Sequence, residues 1–215
     1  MPSRNVCVVG WYFRPAFYAC LQTLQAHGIA VTVIAHREPP ADLDLQALDV
    51  HAQANVGLEW AAYDLFLRDL WREGPTLFLH DDTDVTPPVV QEMFTIHSQR
   101  ALDLAFVFPS LESEQQNRGH HGRAWIASDR GLRALRARGI WFDVSNTGDT
   151  DGVQRNRGSH HFAASLTCLR AEDPTLRVGT MIARHLDTGF RGRVGADGRA
   201  AAAAFFPFTQ ERVHA

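Results

Sequence analysis

PTLFLHDDTDV, residues Pro75 to Val85, is an apolar run that ends abruptly in His80, Asp81, Asp82, Thr83 and Asp84. Such a run reads as a strand buried on both faces, delivering several acids to its C-terminal edge. Carboxylates so crowded repel one another. They are stable as a group only where water, helix amides or a divalent cation offsets their charge. TPPVVQEMF, which follows, reads as a helix start with Thr86 at the N-cap and Pro87 as the first helical residue, and an acid such as Asp84 is favoured near that end. Capping leaves Asp81 and Asp82 unexplained, and a metal-dependent site is the first expectation for them.

Upstream, the chain alternates strands and helices in the manner of an α/β domain. NVCVVG (Asn5–Gly10) is strand-like, AFYACLQTLQAHG (Ala16–Gly28) is a helix closed by a C-cap glycine, and IAVTVIA (Ile29–Ala35) is a second strand. A loop rich in Pro and Asp leads to a short strand near Leu48–Ala52. Glu59–Trp71 has the spacing of an amphipathic helix, with Trp60, Tyr63, Phe66, Leu67 and Leu70 near one face. Downstream of the acidic strand, Pro87–Ala101 reads as a helix and Leu102–Ser110 as a strand. Then come a polar loop (Glu112–Arg123), a helix near Arg130–Arg138, the apolar strand-like run GIWFD (Gly139–Asp143), a second polar loop (Ser145–Gly158) and a helical stretch at Ser159–Leu169.

With 215 residues, 45% of them hydrophobic, the chain suits one domain with a substantial core. No apolar run approaches the roughly 20 residues of a membrane span. MPSRNVCVVG lacks the regions of a secretory signal, so a soluble cytoplasmic protein is expected. Cys7, Cys20 and Cys168 sit among apolar neighbours without CxxC spacing and read as reduced, buried thiols. All 21 basic residues are arginine. The absence of lysine excludes a Walker P-loop, a Schiff base and pyridoxal phosphate chemistry. The charge is also uneven, about −6 over residues 1–100 and +3 over residues 101–215.

In an open α/β sheet, ligands sit beyond the carboxyl ends of the strands. The residues there are Gly10–Arg14, His36–Arg37, Asn55–Glu59 and His80–Asp84. VVGWYFRP (Val8–Pro15), IAHRE with its end at Glu38, NVGLEWAAYD (Asn55–Asp64) and LFLHDDTD (Leu77–Asp84) together resemble the GT-A type of nucleotide-sugar glycosyltransferase, over roughly the first half of the chain.

The resemblance implies a Rossmann-related, open mixed sheet flanked by helices in a single domain, with a nucleotide-sugar donor half (1–110) and an acceptor half (111–215). It implies a DxD pair holding Mn²⁺ or Mg²⁺, which in turn holds the diphosphate of a nucleoside diphosphate sugar, a UDP-sugar first. Asp82 and Asp84 are the literal DxD and the first choice, with Asp81 next; the alternative register faces His80 and Asp82 to the metal. A later histidine, His160 or His161, completes the ligand set, with His120 and His121 behind them. Gly10, Trp11, Arg14, His36, Arg37, Asn55, Gly57, Glu59 and Asp81 are assigned to the donor. Each has a structural reading beside it: Asn55 and Glu59 as helix-cap residues, Arg14 and Arg37 as solvated loop arginines, Trp11 and Tyr12 as packing under the loop.

An inverting transferase further needs a carboxylate base across from the diphosphate. Asp143, at the end of GIWFD, is the first candidate, with Asp149 and Asp151 after it; a retaining mechanism needs none. The acceptor is open. Arg118, Arg123, Arg130, Arg133, Arg136 and Arg138 form either a solvated face or a surface for an anionic lipid-linked glycan, modified DNA or another subunit. Two alternatives stand beside the transferase: a haloacid dehalogenase-like phosphatase with Asp82 as nucleophile, and a noncatalytic nucleotide-sugar-fold module.

Overall fold

In a computed structural model of the chain, which describes residues 3–81, 83, 85–106, 124–145 and 165–180, these residues build one open, mixed, seven-stranded sheet with helices on both faces. Strands β1 (Asn5–Gly10), β2 (Ala30–Ala35), β3 (Asp49–Ala52) and β4 (Thr76–His80) run parallel. β5 (Leu104–Phe106) and β7 (Val178–Thr180) pair in parallel, and β6 (Ala124–Ala127) runs antiparallel to both β4 and β5. The spatial order is β3-β2-β1-β4-β6-β5-β7.

Strand alternation sorts the core into two halves. Val6, Val8, Val31, Val33, Leu77 and Leu79 face α1 (Pro15–Ala26) and α3 (Pro87–Arg100). Cys7, Val9, Ile34, Phe78 and Trp125 face α2 (Leu58–Leu65) and α4 (Asp129–Arg138), with Leu166 and Leu169 of a helical stretch at 165–172 beside them. On this second face the Phe78 and Trp125 rings stack at 3.9 Å, and Tyr63 meets both edge-on. Such pairs add about 0.5–1.5 kcal/mol each beyond the area they bury.

The elements of the first half lie within a residue or two of their expected bounds. Gly28 adopts φ +81 behind α1, the left-handed helix stop its position implies. Thr86 is the N-cap of α3 with Pro87 in the first turn, but its side chain makes no capping bond. Glu59–Trp71 is not one α-helix. α2 ends at Leu65, and Phe66–Leu70 is a π turn closed by the Trp71 amide on the Phe66 carbonyl at 2.7 Å. The wider turn keeps both Phe66 and Leu67 in the core, with Phe66 edge-on to Phe78.

Gly139–Asp143 is not a strand either. The Ile140 amide donates to Asp64 Oδ1 and the Trp141 amide to Ser165 Oγ, so side chains take the bonds a neighbouring strand would. Of the expected strand Leu102–Ser110, residues 104–106 are observed and 107–110 lie outside the described residues; of the helix expected at Ser159–Leu169, 159–164 lie outside the described residues and 165–169 are helical, the helix running on to 172. β6 and β7 were not expected from the sequence at all. Among the described residues no helix is long and apolar enough to cross a membrane.

Candidate functional site

The connection leaving β1 runs to β2 and then β3 on one side, whereas β4 joins β1 from the other side. The chain therefore reverses direction across the sheet between β1 and β4, and in open α/β sheets it is at such a switch point, beyond the carboxyl ends, that the ligand crevice lies. Register levels these ends: Gly10 pairs with Ala35, Ala35 with Ala52, and Val9 with His80. The predicted segments 10–14, 36–37, 55–59 and 80–81 thus share one edge of the sheet. Phe106 and Ala124 also reach this edge, since Leu79 pairs with Ala124 and Phe106 with Trp125.

His36 and His80 continue the strand face that looks toward α2. The His36 amide donates to the Gly10 carbonyl at 3.0 Å, and its ring is 8% exposed. Burial first, and the neighbouring His80 second, lower the His36 pKa to about 4, so at neutral pH it is an uncharged imidazole. Its Nε2 has no hydrogen-bond partner among the described residues, nor do Gln53 Oε1 and Asn55 Oδ1, all three shielded from solvent. Buried polar atoms left this way call for a water or a ligand group. The set accepts or donates hydrogen bonds without carrying charge, which suits hydroxyl or amide groups.

Asp81 lies on the opposite strand face, toward α1, and is fully buried. Its Oδ2 accepts from the backbone amides of Trp11, Tyr12 and Phe13 at 2.9, 2.8 and 2.8 Å, and Tyr18 Oη lies 3.4 Å away. Arg14 Nε donates to the Asp81 carbonyl at 2.9 Å. Burial pushes the Asp81 carboxyl above its usual range, with His80 and the three amides pulling against it. Asp81 Oδ2 is thus engaged on the β1–α1 loop, while its buried Oδ1 has no hydrogen-bond partner among the described residues. Gly10 is closely packed beside it: a Cβ there would lie 2.8 Å from Tyr18 Oη and 3.1 Å from Phe13 Cε1, so the missing side chain makes room for the protein's own rings.

The remaining candidates frame the crevice. Arg37 is exposed and its guanidinium sits 5.4 Å from the Trp11 ring centroid and 6.0 Å from that of Phe13, a cation–π stack at the rim. Arg14 is the N-cap residue of α1. Gly57 caps α2 with φ +81, and Glu59 stands in the first turn, where a carboxylate suits the helix dipole. Asn55 is half-buried just ahead of it. His80 is half-buried, its ring tilted 6.3 Å from Tyr12 and its Nδ1 3.9 Å from Asp81 Oδ1.

Asp143 is held in a turn: its Oδ1 accepts from the Ser145 amide at 2.9 Å and the Ser145 hydroxyl at 2.7 Å. The preceding residue, Phe142, packs against Gly57, which brings this turn beside the 55–59 segment. Asp82, Asp84, Asp149, Asp151, His160, His161, His120, His121, Arg118 and Arg123 lie outside the described residues. Among the described residues no group of three or more His, Cys, Asp or Glu side chains is placed to hold a metal ion.

Each of the four α4 arginines is engaged within the chain. Arg130 pairs with Asp103 and Asp173, Arg133 with Glu73, Arg138 with Glu172, and Arg136 donates to the Arg68 carbonyl. Arg133 also covers Trp71, and Arg138 covers Trp141. Sequence reading overlooked Gln53 and Tyr18. The rule that residues after a strand line the site covers Gln53, which directly follows β3; Tyr18 carried no local signal.

No protein-family profile matches the chain, and no curated protein matches it in sequence. Among solved structures it is similar to S. aureus TarS 1-349, with 11% identity over 76% of this chain and 54% of that chain at a TM-score of 0.49; that protein has also been crystallised in complex with UDP-GlcNAc. It is similar as well to the glycosyltransferase GlyE of Streptococcus pneumoniae TIGR4, with 14% identity over 95% of this chain and 50% of that chain at a TM-score of 0.42. The chain spans about half the length of these solved chains.

Proposed function

We propose that this protein is a glycosyltransferase that binds a nucleoside diphosphate sugar in the crevice between β1 and β4 and passes the sugar to an acceptor hydroxyl. The observation that carries the reading is the meeting of four motif segments, Gly10–Arg14, His36–Arg37, Asn55–Glu59 and His80–Asp81, at one edge of the sheet on the two sides of its switch point. These are the segments on which the resemblance to the GT-A type rests. The neutral polar groups of His36, Gln53 and Asn55 suit the hydroxyls and amide groups of a nucleoside, and the Trp11–Arg37 stack offers a flat cationic surface at the rim.

Asp82 and Asp84 are the residues that would hold Mn²⁺ or Mg²⁺, with His80 bordering them and His160 or His161 as a further ligand. Such an ion supplies charge stabilisation for the departing diphosphate. Asp143, in its turn beside Phe142, is the base proposed for an inverting reaction; the acceptor class stays open. The phosphatase alternative loses ground because the acidic strand is fourth in the chain, whereas the hhhDxDxT signature ends a first strand.

The test is a thermal-shift panel of UDP, UDP-GlcNAc, GDP, dTDP and CMP, each with Mn²⁺, Mg²⁺ or EDTA. Nucleotide-selective stabilisation that grows with metal supports the proposal, and the absence of any nucleotide response overturns it. Hydrolysis of the stabilising sugar nucleotide then separates an enzyme from a noncatalytic module of the same fold.

A further inference from the structure

We propose that Asp81 is a positioning residue: through Oδ2 its carboxylate holds the Trp11–Arg14 loop in the shape that receives the donor. The claim that the loop serves a donor rests on the function proposed above; the clamp itself rests on geometry. Asp81 directly follows β4 and the loop directly follows β1, so the contact ties the two sides of the switch-point crevice together, across 68 to 70 residues of sequence.

Three consecutive amides converge on one buried oxygen to form a cradle, and among the described residues these amides donate to no other atom. The cradle requires Phe13 to adopt φ +55, a conformation that side chains other than glycine rarely take. The loop is therefore held in a shape it would not keep by itself. The tie is doubled by Arg14, whose Nε donates to the carbonyl of the same aspartate. Both rim groups on the loop depend on it: Trp11 carries the Arg37 stack, and Arg14 enters α1.

Strand alternation separates this role from that of its neighbours. Leu77, Leu79 and Asp81 point toward α1 and α3, whereas Phe78 and His80 point toward α2. Asp81 thus stands on the loop side of the strand, with only its Oδ1 near the His80 ring. Oδ2 is committed to the loop, while Oδ1, buried and without a hydrogen-bond partner among the described residues, lies 3.9 Å from His80 Nδ1.

Amide hydrogen exchange on the full chain tests the clamp without reference to activity. In Asp81→Ala the amides of Trp11, Tyr12 and Phe13 are expected to exchange at least about tenfold faster, while β2 amides change little. In Asp81→Asn, which keeps one acceptor oxygen, exchange should fall between the two, and this variant serves where Asp81→Ala does not fold. UDP is then expected to bind about tenfold more weakly to the variants, with the Mn²⁺ concentration that gives half-maximal UDP stabilisation unchanged. Unaltered exchange at residues 11–13 overturns the clamp. Faster exchange with unaltered UDP affinity reduces it to a purely structural contact and overturns the positioning role. Recovery of UDP binding at high Mn²⁺ identifies Asp81 as a metal ligand and overturns the proposal in that way. Failure of the wild-type protein to bind any nucleotide is a different result, which removes the donor reading itself.

Discussion

The ring of Phe142 fills the space in front of Gly57, so that a Cβ at Gly57 would lie 2.4 Å from Phe142 Cδ2 and 3.0 Å from the Ala61 Cβ. Gly57 also has φ +81 as the N-cap of α2. Glycine is thus needed twice, for backbone and for space, and the contact seats the turn that carries Asp143 against the segment 55–59. Gly57→Ala is expected to cost about 1–2 kcal/mol for the left-handed backbone and about 1–3 kcal/mol for overpacking. The part of the steric cost due to Phe142 should disappear in the Gly57→Ala/Phe142→Ala pair, leaving the closer approach to Ala61 and giving a double-mutant coupling of about 1 kcal/mol or more in urea denaturation. Additive single effects would mean that the two residues do not touch.

His36 predicts how stability depends on pH. Its folded pKa, lowered to about 4 mainly by burial, lies below the unfolded value near 6.5. The unfolded chain therefore takes up the proton first as pH falls. The contribution is fully present above about pH 6.5 and is lost between there and pH 4, an effect of at most about 3 kcal/mol. Denaturant midpoints of the wild type should drop across this window more steeply than those of His36→Gln. His97, also lowered by burial, acts in the same direction in both proteins, so the difference between the two curves isolates His36. Parallel curves would place the His36 ring in water.

What the sequence made legible follows from where each signal lies. β1, α1, β2, β4 and α3 carry their signals locally, as apolar runs or helical periodicity bounded by Gly28 and Pro87, and their bounds emerge closely. AWIA, β6, is four residues long, and its place is set by antiparallel pairing with β4 and β5 rather than by anything in its own pattern. GIWFD has the apolar content of a strand, yet Trp141 is 44% exposed and its amide is bound by a serine side chain 24 residues away. The acidic cluster shows the same division. That Asp81 needed neutralising was legible; amides were one of the means considered, but those of the β1–α1 loop are remote in sequence.

Asp103 is expected to matter more for stability than its place after α3 suggests. It is buried and accepts from Ser128 Oγ at 3.0 Å, Arg130 Nη1 at 3.4 Å and the Arg177 amide at 2.9 Å, while its carbonyl receives the Ser128 amide. One residue thus joins the start of β5, the N-cap of α4 and the approach to β7. Gly131 packs so close that a Cβ there would meet the Asp103 carbonyl oxygen at 2.3 Å. Asp103→Ala leaves several donors without a partner and should cost about 3 kcal/mol in urea denaturation, with Asp103→Asn retaining part of it. A loss below about 0.5 kcal/mol would show that water replaces the carboxylate at no cost.

The register of the acidic strand end is open to a direct chemical test. Asp81 faces α1, while His80 faces α2 on the side of His36. Under the proposed function, Asp82→Asn should weaken the Mn²⁺ dependence of UDP binding in either register, by at least about tenfold, or about 1.4 kcal/mol. The registers differ in the second ligand. If Asp82 and Asp84 hold the ion, Asp84→Asn reproduces the loss and His80→Asn does not; if His80 and Asp82 hold it, the pattern reverses. EDTA on the wild-type protein should match the more affected variants, because removing the ion and removing its ligand leave the same residual nucleotide contacts with His36, Asn55 and the Trp11 loop. Isothermal titration of UDP into the four proteins at fixed Mn²⁺ reads all of these outcomes. Full metal dependence in all three variants would place the ion away from this strand end.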